Sequence, residues 1–310
     1  MIRIADLYAG IGGIRLGFEQ AFGKENIDCV FTSEIDKYAV ITYTANFGNE
    51  NIFGDISKIK ASSIPDFDIL LAGFPCQSFS SVGLQKGFYD ERGQAVFEIE
   101  RILKEKQPKT FILENVPNLL KLNGGNIFKL ILFRLKSAGY KVMYKILCGK
   151  DFGVPQNRCR LYIVGCLDHD IEFEFPTGQH EKTCVGNILE KDVNGSHYFK
   201  TERWKRIEEN WKKHHDGFRR YQVVDEHSEY TPTLIARYLG HPEKITVKDN
   251  NKYRQLTERE CARLQGFPDS FIINKVSRNQ IYKQLGNSVC VPVIKAIAKK
   301  MKDTFFKEVE

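Results

Sequence analysis

A chain of 310 residues, 42% of them hydrophobic, has room for one large domain, or for a large domain with a smaller companion. Forty-six Lys and Arg against 39 Asp and Glu leave a formal charge of +7, which favours a polyanionic partner such as nucleic acid without establishing one. No apolar run approaches the roughly 20 residues of a membrane span; no secretion signal opens the chain; and none of the eight cysteines forms a C-x-x-C pair. The expectation is a cytoplasmic protein with reduced thiols, no metal and no membrane contact.

In chain order, Ile2 to Leu7 reads as a buried strand running into the turn Gly10-Ile11-Gly12-Gly13. Ile14, Phe18, Ala21 and Phe22 then recur at helical spacing. Residues 29–33 read as a second strand ending at Glu34, with a helix over 37–46 after it. The run Phe67-Asp68-Ile69-Leu70-Leu71-Ala72 is the next strand. Ala95, Ile99, Ile102 and Leu103 form a helix face that Pro108 terminates. Thr110 to Glu114 is a strand, Ile127, Ile131 and Leu135 mark a helix ending at Gly139, and strands follow over 141–147 and 161–166. Strands alternating with helices of this length predict an α/β, doubly wound, mostly parallel sheet.

The pattern changes after Cys166. Residues 176–255 are short, polar and irregular, and hold six of the seven histidines. Within them Trp204, Ile207 and Trp211 share a helix face. Thr257 with Glu260 predicts a capping box, and Pro292 opens a last helix. The expected organisation is a catalytic and cofactor domain over 1–172, a small inserted domain over 173–270, and a returning catalytic segment over 271–310.

The first turn lets backbone approach a ligand closely. Arg15 stands where a dinucleotide fingerprint needs its third glycine, which argues against NAD. Glu34, 21 residues past Gly13, is placed to accept both hydroxyls of a ribose, and Asp55 to accept from an adenine amino group. The turn has no P-loop, so a nucleoside without a phosphate chain, such as S-adenosylmethionine, suits it. A generic glycine turn with two solvated acids would look the same on these residues alone. Gly73-Phe74-Pro75-Cys76-Gln77-Ser78 follows a strand, which puts a thiol where open α/β sheets place ligands. Glu114 ends the neighbouring strand. A carboxyl there is of little use for activating a thiol, but in its protonated form it can donate to a ring nitrogen of a substrate. Arg158 and Arg160 add two guanidinium groups ahead of a further strand.

In these motifs the chain resembles the bacterial cytosine-C5 DNA methyltransferases over nearly its whole length. Asp6 to Gly13 is similar to the family's cofactor turn, with Tyr8 where Phe is usual. Gly73 to Gln77 resembles the nucleophile motif, Glu114-Asn115-Val116 the glutamate motif, and Gln156-Asn157-Arg158-Cys159-Arg160 the Q-x-R-x-R motif. Arg254 to Pro268 resembles the motif that supports the recognition region, and Gln284 to Val289 the motif that closes the cofactor pocket.

The resemblance implies sequence-specific methylation of cytosine C5 in double-stranded DNA by a restriction–modification enzyme, with S-adenosylmethionine as cofactor and S-adenosylhomocysteine as product. Its catalytic residues would be Cys76, Glu114, Arg158 and Arg160, with Cys76 adding to C6 of a flipped-out base. Arg160 is placed to contact the cytosine O2 and Arg158 to order the site; the base that removes the C5 proton is not identified, and a water can serve. The cofactor would meet Tyr8, Gly10, Ile11, Gly12, Gly13, Glu34, Ile35, Asp55, Ile56, Gly73, Pro75, Asn287, Ser288 and Val289. DNA would meet Gln77, Ser80, Lys86 and Arg92, the last three on a lid over 78–93. In the insert it would meet phosphate contacts Arg219 and Arg220, then Thr233, Arg237, Tyr238 and His241 beside the Thr233-Leu234 dipeptide. A cognate endonuclease encoded nearby is the expected functional partner, and monomeric action the default. An RNA-directed enzyme and a catalytically silent DNA-binding module are the competing readings.

Overall fold

The computed structural model describes residues 1–49, 51–75, 94–178, 183–213, 222–241 and 244–307, and at 94 and 210–213 the backbone alone. In chain order the elements are β1 (Ile2–Leu7), α1 (Gly13–Phe22), β2 (Ile27–Ser33), α2 (Lys37–Phe47), β3 (Ile52–Phe53) and β4 (Ile69–Gly73). Then come α3 (Gln94–Lys106), β5 (Thr110–Asn115), α4 (Asn126–Ser137), β6 (Lys141–Cys148) and β7 (Cys159–Cys166). They are followed by α5 (Thr201–Lys213), β8 (Val223–Val224), β9 (Thr246–Asp249), β10 (Lys252–Gln255), α6 (Glu258–Leu264), α7 (Arg278–Asn287) and α8 (Val291–Phe305).

Two compact units result. The first comprises 1–147, 159–177 and 293–310, and the second 148–158 and 178–292. In the first, seven strands lie in the order β3-β2-β1-β4-β5-β7-β6. β1, β2, β3, β4 and β5 pair in parallel, and β7 runs antiparallel to β5. This is the mostly parallel α/β sheet expected from the alternation of strands and helices. β4 is buried along nearly its whole length, because helices cover both faces of such a sheet. On one face Leu70, Ala72, Phe111, Leu113 and Ile163 pack with Ile99, Leu103, Ile131 and Leu135.

The second unit carries the small sheet β10-β9-β8. Trp204 of α5 stacks on Tyr253 of β10 with ring centroids 3.8 Å apart, which gives the helix face read from the sequence its partner. The predicted capping box forms: the Thr257 hydroxyl accepts from the Glu260 N–H at 3.1 Å, and Glu260 Oε2 accepts from the Thr257 N–H at 2.8 Å. Glu260 also accepts from both Nη atoms of Arg254, at 2.8 and 2.9 Å, with the two side chains 0% and 1% exposed. The second unit includes 148–158 and 271–292, whereas the sequence predicts boundaries at 172/173 and 270/271. Long-range hydrogen bonds from Gln156 and Arg158 hold the former segment there.

Cys29, Cys166, Cys184, Cys261 and Cys290 are free thiols. Cys148 and Cys159 are disulfide-bonded, which departs from the expectation of reduced thiols throughout. Among the described residues, no helix is long and apolar enough to cross a membrane.

Removing one partner of a buried, bidentate ion pair strands the other charge in a medium that cannot solvate it. Glu260→Ala is therefore expected to lower unfolding stability by about 3–5 kcal/mol, read by urea denaturation of the full chain. A loss below about 1 kcal/mol would show that Arg254 finds other solvation.

Candidate active site

Strand register brings the motif residues of the first unit to one sheet edge. Leu7, the last residue of β1, pairs with Ser33 and with Ala72, and Gly73 pairs with Glu114. The residues that follow these strands, Tyr8, Glu34 and Phe74, leave the sheet together, as parallel strands require.

The cofactor turn is built on strained backbone. Tyr8 (φ 54°), Gly10 (φ 57°) and Gly12 (φ 84°) all lie in the left-handed region, which costs a non-glycine residue such as Tyr8 about 1–3 kcal/mol. At Gly12 a Cβ would stand 2.3 Å from the Phe47 ring, so only glycine fits. At Gly10 a Cβ would meet nothing within 4 Å, so this side of the turn is open to a ligand. The Gly10 N–H donates to Glu34 Oε2 at 2.7 Å, and the Asp36 N–H to Glu34 Oε1 at 2.7 Å. Glu34 is thereby fixed in orientation while each oxygen keeps a lone pair for a further donor. Ile35 beside it is 77% exposed, an apolar surface suited to the face of a nucleobase. Asp55 accepts from the Ser57 N–H and hydroxyl, and these hydrogen bonds hold its carboxyl below the usual range. Ile56 is buried next to it. The Tyr8 hydroxyl donates to the Ala95 carbonyl at 3.4 Å.

At the end of β5, Glu114 Oε1 lies 3.1 Å from Arg160 Nε, both side chains being largely buried. The antiparallel course of β7 makes this pair: Asn115 registers with Leu161, so Arg160 stands at the start of a strand that sets out from the edge where β5 stops. Arg160 Nη1 is further steadied by the Cys159 carbonyl at 2.8 Å. A guanidinium fixed on a carboxylate presents donors and an acceptor side by side, which matches the mixed edge of a pyrimidine.

The Arg158 guanidinium in the second unit donates to the carbonyls of Leu234, Gly286 and Ser288. The Thr233 hydroxyl donates to the Asn157 carbonyl at 2.7 Å. Arg237 and His241 are exposed. Tyr238 corrects the expectation made for it: it is fully buried, its hydroxyl donates to the Ile245 carbonyl at 2.6 Å and accepts from the Leu256 N–H at 2.8 Å. It is a core residue with no edge to offer DNA. Asn287 is exposed, Ser288 half-buried and Val289 buried. Cys76, Gln77, Ser80, Lys86, Arg92, Arg219 and Arg220 lie outside the described residues, as does the expected lid.

A model of the C-5 cytosine-specific DNA methylase family matches residues 2–303. The chain belongs to that family. It is thus an enzyme, a DNA cytosine-C5 methyltransferase, and membership implies S-adenosylmethionine as methyl donor. It is 50% identical over 306 residues to the Type II methyltransferase M.NlaX of Neisseria lactamica, covering 97% of this chain and 96% of that protein. It is 49% identical over 314 residues to the Type II methyltransferase M1.ScrFI of Lactococcus lactis subsp. cremoris, covering 98% and 79%. In fold it resembles the crystal structure of S. pombe Dnmt2 methyltransferase, with a TM-score of 0.81 at 22% identity over 98% of this chain and 99% of that one.

Two buried polar residues at these strand ends enter the sequence reading only as members of motifs, with no role of their own. Asn115, 2% exposed, donates from Nδ2 to the Phe74 carbonyl at 3.1 Å and accepts from the Val116 N–H at 2.8 Å. It thereby continues the β4–β5 pairing past the strand ends and fixes the backbone two residues before Cys76. The signal was its place beside Glu114 in an otherwise apolar strand. Asp6 is fully buried beneath the cofactor turn, and neither carboxylate oxygen has a hydrogen-bond partner among the described residues. Burial without a partner pushes its carboxyl up to about 7 from an ordinary 3.8; Arg15 opposes the rise, and Glu34 and Glu19 add to it. Arg15 itself is held by Glu19 at 2.7 Å and the Tyr43 hydroxyl at 3.0 Å.

Asn115→Ala leaves the Phe74 carbonyl without its partner, a loss of about 1–3 kcal/mol. It is expected to lower kcat about tenfold or more while S-adenosylhomocysteine affinity holds; equal falls in both would assign Asn115 to the general scaffold. For Asp6, the folded value lies above the unfolded one, so the fold favours the neutral acid. This contribution is complete below about pH 4 and is lost as the pH rises to about 7, at about 1.4 kcal/mol per pH unit. Denaturation of the cofactor-free protein across that window should show the slope in the native chain and its loss in Asp6→Asn. Parallel curves would mean the carboxyl is solvated in solution.

Proposed function

We propose that this methyltransferase modifies cytosine C5 at one short sequence in double-stranded DNA, acting as the modification enzyme of a restriction–modification system. The observation that carries the reading is the Glu114–Arg160 pair, set at the sheet edge where the strand leading to Cys76 also ends. The relatives' designation as Type II methyltransferases supports the restriction–modification context. A cognate endonuclease is then a functional partner, and the enzyme works as a monomer on cytoplasmic DNA, because flipping one base needs one active site.

Cytosine C5 is a poor nucleophile. The Cys76 thiolate adds at C6, and the C5–C6 double-bond electrons move into the ring, so that C5 becomes enamine-like. Glu114 takes the N3 and exocyclic amino edge. In its protonated form Glu114 donates to N3 and stabilises the charge that develops there. Arg160 donates to the cytosine O2. The bound cofactor supplies an electrophilic methyl group. After transfer, a base removes the C5 proton, the double bond reforms and the thiolate leaves. Glu34 holds the ribose hydroxyls, Ile35 and Tyr8 flank the adenine, and Asp55 accepts from its amino group. Glycines 10, 12 and 13 with Ile11, and Gly73, Pro75 and Ile56, would shape the pocket in the first unit. Arg158 orders the site rather than touching the base. Arg237 and His241 read the target, with Thr233 close by, and Arg219 and Arg220 meet phosphates.

Label transfer from S-adenosylmethionine to unmethylated genomic DNA and to total transfer RNA tests this directly, with bisulfite sequencing of the DNA. Labelled cytosines within one short motif are expected, together with complete loss of transfer in Cys76→Ser and retained cofactor binding. Glu114→Gln is expected to lower kcat by about 10²–10³-fold. Label confined to RNA would replace the DNA substrate, and turnover by Cys76→Ser would remove the nucleophile assignment.

A further inference from the structure

In the first unit, Asp55 stands on a loop whose carbonyls are engaged at every residue from 53 to 56. The Phe53 carbonyl accepts from the Glu34 N–H at 3.0 Å, and the Asp55 carbonyl from the Lys58 N–H at 3.1 Å. The other two carbonyls take side chains from distant elements. The Ser33 hydroxyl, at the end of β2, donates to the Gly54 carbonyl at 2.7 Å. Arg101, on α3, donates from Nη2 to the Ile56 carbonyl at 3.1 Å, and that carbonyl also accepts from the Ile59 N–H at 3.2 Å. The residues on either side of Asp55 are therefore anchored, one to the sheet and one to a helix.

Each anchor is itself fixed. Ser33 is buried and registers with Phe53 across the parallel pair β2–β3. Arg101 is aimed by Glu98 one turn earlier, whose Oε2 accepts from its Nε at 2.8 Å and from its Nη2 at 2.6 Å. The Asp55 carboxyl is held from within the loop: both Ser57 donors fall on Oδ1, at 3.0 and 2.8 Å. Oδ2 lies 3.8 Å from the exposed Lys58 ammonium and keeps lone pairs for a further donor.

We propose that Ser33 and Arg101 are positioning residues that set the purine selectivity of the cofactor pocket. By pinning Gly54 and Ile56 they hold the Asp55 carboxylate where a 6-amino group is accepted and a 6-oxo group is refused. The proposal rests on the reading that Asp55 meets the adenine. Adenine offers an N–H donor at position 6, whereas hypoxanthine offers a carbonyl there and carries its proton on N1. A fixed carboxylate facing that carbonyl meets a second acceptor, so the oxo purine loses a hydrogen bond and gains a repulsion. The refusal holds only while the carboxylate cannot turn away. On an unanchored loop it swings to the N1–H or to water, and the two purines bind more nearly alike. Rigidity of the loop, and not the charge of Asp55 alone, is the source of the selectivity. Arginine suits the α3 position because one planar fork reaches a carboxylate and a carbonyl together, where a lysine ammonium is a point charge on a flexible stem.

The test is the pair of dissociation constants of the full-length enzyme for S-adenosylhomocysteine and for S-inosylhomocysteine, read by calorimetry without DNA. The native enzyme is expected to prefer the adenosyl form about a hundredfold. Arg101→Leu and Ser33→Ala are each expected to bring that ratio below about tenfold, mainly by weakening the adenosyl form. Both variants should raise KM for S-adenosylmethionine while kcat at saturation stays within about twofold of native. Arg101→Lys is expected to fall between Arg101→Leu and the native enzyme. Ser33→Ala removes only the hydroxyl that holds the Gly54 carbonyl, and it carries the test alone should Arg101→Leu not fold. The proposal is overturned by variants that keep the native ratio, or by variants that weaken both ligands equally, which would make the two anchors general scaffold. Failure of the underlying reading is separately visible: a native ratio near one, or a native ratio that survives in Asp55→Ala, takes Asp55 off the adenine and the proposal with it.

Discussion

A parallel sheet delivers the carboxyl ends of its strands to one edge, and the chemistry of the first unit depends on that constraint. The pairing of Leu7 with Ser33 and Ala72, and of Gly73 with Glu114, aligns the cofactor turn, Glu34, the Phe74-Pro75 strand end and Glu114 without any of these residues contacting all the others. The exception to the rule completes the arrangement. Because β7 runs against β5, its start rather than its end reaches the same edge, and Arg160 arrives on Glu114. One antiparallel strand thus supplies a cation where a wholly parallel sheet would have supplied a strand end from a further crossover.

Polar side chains act on backbone in both units. In the first, Asn115 holds the Phe74 carbonyl and Glu34 two N–H groups of neighbouring turns; in the second, Arg158 holds three carbonyls. Such contacts fix main-chain position, which a reaction needs when its reacting groups must be held in one geometry. Asp6 stands apart from the pattern. It is a buried acid with neither oxygen bonded among the described residues, and the folded protein bears the energetic cost of its burial.

The elements of the first unit were largely legible because their signals are short. The strand from Ile69 to Gly73 is a continuous apolar run, the helix over Gln94–Lys106 repeats its apolar face, and the capping box of Thr257 and Glu260 spans four residues. The helix from Arg278 to Asn287 was not anticipated. Its sequence is polar on average, with few apolar residues to mark a face, and its C-terminal half reads as part of a motif. Tyr238 failed for a related reason: a tyrosine between an exposed arginine and an exposed histidine looks like a reader, and only packing shows that its ring is in the core and its hydroxyl engaged.

By itself, the sequence determined which chemistry is available: a thiol after a strand, a glutamate ending the next, a glycine turn with acids at ribose distance, and the family these belong to. Tertiary structure alone decided which polar groups meet. Arg158 and Arg160 are two positions apart in one motif, yet the first bonds to carbonyls 76, 128 and 130 residues away and the second to Glu114 across an antiparallel strand pair. Hydrophobic periodicity and turn preference are written within a few residues of themselves, so they survive being read locally. A hydrogen bond closed over more than seventy residues leaves no trace in the neighbours of either partner, because what selects it is the packed geometry of the segments between.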